Sequence, residues 1–153
     1  MARLPSERYL VQQIDGQVVL FEDFTEREIT RFDPGSVLAS GHALEEIAVS
    51  ELADEDRCFA CFWAGYFGFY AGRIPAELTS PSHHIGLVDG GAHVVLFEAD
   101  GNNPARELVR FDPSDANAAA RAQKAIYDSG LRDADKRLAH FMSGYYYAEA
   151  SGA

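Results

Sequence analysis

Short β-rich runs broken by turn residues open the chain, and helical spacing follows. Tyr9 to Ile14 is rich in strand formers and stops at Asp15-Gly16, a two-residue hairpin signal because both positions favour positive φ. Gln17 to Glu22 reads as the returning strand and Glu28 to Phe32 as a third. Asp33-Pro34 then reads as a helix start, with Asp as N-cap and Pro at the first helical position. Ala39, Ala43 and Ile47 recur at four-residue spacing and form one seam for the sheet. Ser50 to Ala53 interrupts, and Asp54-Glu55-Asp56 suits the positive end of a second helix dipole.

The same pattern then recurs. Val18-Val19-Leu20-Phe21-Glu22 returns as Val94-Val95-Leu96-Phe97-Glu98, and Arg27-Glu28-x-x-Arg31-Phe32-Asp33-Pro34 returns as Arg106-Glu107-x-x-Arg110-Phe111-Asp112-Pro113. From there the offset is a constant 79, and 23 of 51 aligned positions are identical. Strands are expected at Ile85–Val88, Ala92–Glu98 and Glu107–Phe111, and helices at Ser114–Ser129 and Asp133–Ala148. The expected fold class is α+β: a β-β-β-α-α unit taken twice, antiparallel strands with helices packed on them, and a pseudo-two-fold between the copies. The units are read as residues 1–72 and 83–153, with 73–82 as a linker marked by Pro75 and Pro81. A unit of this size makes a marginal core alone, so the copies are expected to pack on each other.

Composition narrows the functional classes. The 153 residues carry 13 Lys+Arg and 24 Asp+Glu, a formal net charge of −11. That balance argues against direct nucleic-acid binding, which needs a basic face, and against an anionic membrane surface. The longest apolar run, Cys58 to Gly72, is shorter than the ~20 residues of a spanning helix. No basic region leads into an apolar segment at the start, so the reading is a soluble protein of the cytoplasm.

Candidate chemistry is sparse. Phe59, Phe62, Trp63, Tyr66, Phe67 and Tyr70 fall on one helical face, and Cys58, Cys61, Gly65, Gly68 and Gly72 on another. Large aromatics beside small residues suit a close helix contact between the copies, or an aromatic groove. Cys58-x-x-Cys61 has redox or zinc spacing, but it lies inside an apolar helix and no second pair completes a zinc set. The thiols therefore read as buried and inert, and no metal or cofactor is expected. His83-His84 reads as an exposed strand-edge pair. Glu22, Arg27, Glu28 and Arg31, repeated as Glu98, Arg106, Glu107 and Arg110, read as cross-strand ion pairs. No nucleophile-elbow, P-loop, zincin or dinucleotide motif is present.

Charge is unevenly divided. Residues 1–78 carry 14 acids and 6 bases, and residues 79–153 carry 10 and 7. Glu45, Glu46, Glu51, Asp54, Glu55 and Asp56 form an acidic stretch. With Trp63 and Tyr66 on the neighbouring helix they are the candidate partner-binding residues. In the limit such a face mimics nucleic acid.

The unit Val-Val-Leu-Phe-Glu, Arg-Glu-x-x-Arg-Phe-Asp-Pro, then Ala118 to Ser129 and Ala139-His140-Phe141 to Ala148, resembles small uncharacterised accessory proteins encoded by actinobacterial phages. The resemblance carries no catalytic residues over. It implies a class that binds host or phage proteins. The resulting expectation is a non-enzymatic, protein-binding accessory protein, an oligomer being open. Two alternatives stand beside it. One is a ligand-binding or enzymatic domain with a pocket at the repeat interface, lined by Trp63, Tyr66, His83 and His84. The other is a virion or structural component.

Overall fold

The computed structural model describes residues 2–72, 83–100 and 103–152, so the expected 73–82 linker lies outside the described residues. The chain is α+β. Strands β1 (Ala2–Arg3), β2 (Tyr9–Ile14), β3 (Gln17–Glu22) and β4 (Glu28–Phe32) form one antiparallel sheet in chain order. Helices α1 (Val37–Ala48) and α2 (Asp54–Tyr70) follow. Strands β5 (His83–Val88), β6 (His93–Asp100) and β7 (Asn103–Phe111) form a second antiparallel sheet, followed by α3 (Ala116–Tyr127) and α4 (Asp133–Gly152).

Local chemistry explains most boundaries. Asp15 and Gly16 take φ of 51° and 80°, the conformation the Asp-Gly hairpin needs. The expected helix start is displaced. Asp33 does not cap α1. Its carboxylate accepts the Gly35 N–H at 2.9 Å in a turn, and Ser36 is the N-cap, its hydroxyl accepting from Ala39 N–H. Likewise Asp112 accepts from Ser114 N–H, and Asp115 caps α3 through the N–H groups of Asn117 and Ala118. The prolines thus occupy the turn before each helix, where a fixed φ helps and no N–H is needed. Strand β1 is an addition to the expected order, and β5 begins two residues before Ile85.

Each sheet carries a β-bulge at the matching place. Leu20 pairs with Thr30 but Phe21 pairs with Glu28, which leaves Ile29 extra; Leu96 pairs with Val109 and Phe97 with Glu107, which leaves Leu108 extra. The extra residue brings positions three apart onto one face. Glu28 therefore pairs with Arg31, and Glu107 with Arg110, along a single strand. This corrects the cross-strand expectation for those two pairs. Glu98 with Arg106 does bridge between strands, whereas Arg27 lies in the loop before β4, 3.9 Å from a Glu22 carboxylate that accepts from Arg8 at 2.7 Å.

The two cores trade side chains. The first contains Val11, Val18, Leu20, Phe32, Leu44 and Ile47, and α4 contributes Phe141 and Met142 to it. The second contains Val94, Leu96, Phe111, Ala122 and Ile126, and α2 contributes Phe62 to it. Phe62 and Phe141 stand 79 residues apart and are both buried.

Candidate functional site

Helices α2 and α4 cross with their backbones in contact. A Cβ on Gly65 would lie 1.8 Å from the Phe141 carbonyl oxygen, and one on Gly144 would lie 1.7 Å from that of Phe62. Only glycine permits this approach. The aromatic face of α2 lies at this crossing. Trp63 packs edge-on to Phe62 and Tyr66, and Tyr147 of α4 meets Trp63 edge-on and Phe62 and Tyr66 at a tilt, with centroids 5.5–6.5 Å away. Trp63 and Tyr66 are half-buried, and Trp63 touches both cores. Their first task is to seal the helix pair.

The acidic stretch is less uniform than its sequence. Glu45 and Glu46 are exposed on the outer face of α1. Glu51 is exposed but ion-paired with Arg27. Asp54 is exposed, and it accepts from Arg57 at 3.2 Å and from the Tyr127 hydroxyl at 2.7 Å. Glu55 is exposed at the start of α2. Asp56 departs from the expectation: it is buried, accepts the Ser6 N–H at 2.9 Å through Oδ1, and has an unpartnered Oδ2. It fastens the β1–β2 turn to α2 and presents no charge to a partner. The eight candidate residues therefore do not form one surface. Neighbouring sequence concealed Arg27 and Ser6, which the fold brings from far along the chain.

Beside the crossing lies a cavity of about 220 Å³ between the two halves. Ile47 and five pairs of residues 79 apart line it: Ala48 and Tyr127, Asp54 and Asp133, Arg57 and Lys136, Cys58 and Arg137, Cys61 and His140. Trp63, Tyr66, His83 and His84, expected to line a pocket at the repeat interface, are not among its walls. His83 and His84 lie on β5, with the His84 ring 5.7 Å from that of Phe97.

The walls differ in chemistry from one half to the other. Cys58 and Cys61 are free and buried, and burial pushes their thiols up to about 11 and about 12, so they stay protonated. His140 is buried and contacts the Gln123 carbonyl oxygen through Nδ1 at 2.8 Å. Gln123 Nε2 donates to the Ala119 carbonyl and to the Ser143 hydroxyl, which orients the amide and places the imidazole proton on Nδ1. Nε2 is then a lone-pair acceptor, and it has no partner. Burial, aided by Lys136, pulls this imidazole down to about 3, so it is neutral at physiological pH. Arg57 has a second buried polar atom without a partner, its Nε, while its other nitrogens donate to Asp54 and to the Ser50 carbonyl.

Sequence reading left His140 among scattered histidines. The signal that finds the network is the repeat itself: Gln123, His140 and Ser143 stand at the positions of Leu44, Cys61 and Ala64. Among the described residues no group of His, Cys, Asp or Glu is arranged to hold a metal ion, and no helix is long and apolar enough to cross a membrane. In comparisons with known protein families, curated proteins and solved structures, nothing matches this chain.

Proposed function

We propose that the chain is a non-enzymatic accessory protein that binds another protein through the outer face of α1. The carrying observation is an asymmetry of exposed apolar residues. Leu38 is 74% and Val49 86% exposed, and they flank the exposed His42, Glu45 and Glu46. At the same offset, the outer face of α3 presents Asn117, Arg121, Lys124, Ala125 and Asp128. The α3 face shows that this fold has no need of exposed apolar side chains there, and such side chains on one face mark an interaction surface. Phe24, in the turn after β3, is 92% exposed.

We further infer that residues 1–72 and 83–153 are copies of one β3α2 unit related by a pseudo-two-fold. Matching bulges, the traded Phe62 and Phe141, and the paired glycines support this reading. The resemblance to phage accessory proteins favours a phage origin and a host or phage protein as the partner, met in the host cytoplasm.

The test is a crosslinked pull-down from native lysate with wild type and with L38N/V49D, which installs the residues of the α3 face. Surface changes of this kind alter stability by less than about 0.5 kcal/mol. The variant should keep the wild-type melting temperature and lose the captured partner. Equal capture by both proteins would sink the α1 assignment.

A further inference from the structure

Helix α1 makes three local choices that its own fold does not use. The first is Gly41, exposed at the middle of the outer face, where the second half has the equally exposed Ala120. Glycine weakens a helix relative to alanine. At Gly65 and Gly144 the crossing backbone requires it, but a Cβ on Gly41 would meet nothing within 4 Å. The second is charge. Glu45 and Glu46 stand in the last turn, at the negative end of the helix dipole, and α1 has no Lys or Arg. The matched residues are Lys124 and Ala125, and Lys124 sits in the last turn of α3, where the dipole favours a cation. The third is the apolar pair. Leu38, His42, Glu45 and Val49 follow one another at spacings of four, three and four residues, so they form a straight stripe ~16 Å long with an apolar residue at each end.

An open groove of about 380 Å³ lies beside this stripe, between the end of α1 and the start of β4. Val49 and Ile29, the extra residue of the β-bulge, give it apolar walls. Its charges are Glu28, Glu46 and Glu51 against Arg27. Arg31 holds Glu28 and Arg27 holds Glu51, so Glu46 is the carboxylate left without an ion pair among the described residues. Each choice acquires a use once a partner is present. The glycine leaves a notch that admits a closely approaching backbone, and the stripe has the spacing that takes the anchors of a helix. The uncompensated carboxylates call for cations. A second copy of the chain supplies none: two α1 helices face to face would gather four carboxylates, from Glu45 and Glu46, with no Lys or Arg between them. An acidic partner fails for the same reason.

We propose that the outer face of α1 receives a basic amphipathic helix of the partner protein, crossing at Gly41 with its apolar seam between Leu38 and Val49 and a lysine or arginine in the groove at Glu46. The stem of that side chain rests on Ile29 and Val49 while its charged head stays at the open side. This rests on the reading of α1 as the docking face and adds the partner's chemistry.

Fluorescence anisotropy on the full chain tests this with a synthetic peptide long enough to cover the stripe, about 18 residues at the helical rise. The probe carries leucines in a seam of three- and four-residue spacing with lysines on both flanks. A second peptide keeps the seam and has glutamate for every lysine. The lysine peptide should bind, more weakly as salt rises, and the glutamate peptide should not. G41L fills the notch without a clash inside the protein and should weaken binding about tenfold, the effect of overpacking a close contact. E45Q/E46Q should weaken it about fivefold, the worth of two exposed charge pairs. E7Q/E149Q removes two exposed carboxylates elsewhere and should leave it unchanged. In the lysate capture described above, G41L and E45Q/E46Q should lose partner as L38N/V49D does. Loss with L38N/V49D alone would leave α1 as the docking face and overturn the basic helix, whereas full capture by L38N/V49D would overturn the α1 reading itself and this proposal with it. The proposal is also overturned if the lysine peptide does not bind, if the glutamate peptide binds equally, or if E7Q/E149Q weakens binding as much as E45Q/E46Q. A full-chain dimer in sedimentation that G41L dissociates would make a second copy the occupant and overturn it too.

Discussion

Alanine at Gly65 should have the opposite effect to alanine at Gly41. Both residues lie within helices, where replacing glycine by alanine ordinarily stabilises by about 0.5–1 kcal/mol. At Gly41 a Cβ meets nothing within 4 Å, so that gain should appear in full. At Gly65 the new Cβ would stand 1.8 Å from the Phe141 oxygen and 2.7 Å from its carbonyl carbon. Ordinary contact begins at 3.4 Å, so α2 and α4 must part by about 1.6 Å. The obstacle is backbone, which cannot swing aside as a long side chain would. A radial gap of about 0.5–1 Å already forfeits a quarter to a half of a dispersion contact. The parting falls on Phe62 and Phe141, each buried in the opposite core, where even complete removal of a Phe costs about 3–5 kcal/mol. With the propensity gain subtracted, G65A should destabilise by about 2–4 kcal/mol. Equilibrium urea unfolding of the full chain reads this directly, against wild type and G41A. G144A should match G65A, because it meets the Phe62 oxygen at 1.7 Å. The double variant should cost less than the sum, since one separation relieves both clashes. A G65A protein as stable as wild type would refute the close crossing, and with it the traded cores.

Two further outcomes concern buried titratable groups. His140 is held neutral in the folded protein to about pH 3, whereas the unfolded chain takes the proton near 6.5. Stability should therefore be complete above pH 6.5 and fall as pH drops, by about 2 kcal/mol between pH 7 and 5 from this group alone. H140N keeps a donor for Gln123 without a titration, so its urea midpoint should decline less over that interval; an identical decline would contradict the buried neutral imidazole. Cys58 and Cys61 are protonated thiols raised to about 11 and about 12, so a disulfide reagent at pH 8 should label them only as fast as the protein opens. Labelling at the rate of a free thiol in native buffer would show that the helix interface is not closed.

Much of the architecture was legible because it depends on near neighbours. The Asp15-Gly16 hairpin, the helical seam of Ala39, Ala43 and Ile47, and the recurrence at offset 79 are all properties of short windows. The helix caps were misplaced by a few residues because Asp-Pro satisfies two rules at once, a helix start and a turn before one. Side-chain context then favoured Ser36 and Asp115. The bulges were hidden because one extra residue leaves composition unchanged while it reverses which charges share a face. The cavity was hidden for another reason. Its walls come from four helices, and the unpartnered atoms of its lining residues, Arg57 Nε and His140 Nε2, become unusual only once their surroundings are buried. The acidic stretch was over-read for the same cause. Ser6 and Arg27 lie dozens of residues from their carboxylates in the chain and within hydrogen-bonding reach in the fold.

Traded phenylalanines also bear on what a tandem chain can do that two separate subunits cannot. Identical subunits meeting on an axis must present the same residue twice, so an arginine placed there would confront its own copy at close range. Covalent fusion lifts that restriction. With Cys58 matched to Arg137 and Cys61 matched to His140, that guanidinium and that imidazole each answer a thiol and not a copy of themselves. Joining the halves thus permits heterogeneity at the one place where a symmetric assembly forbids it.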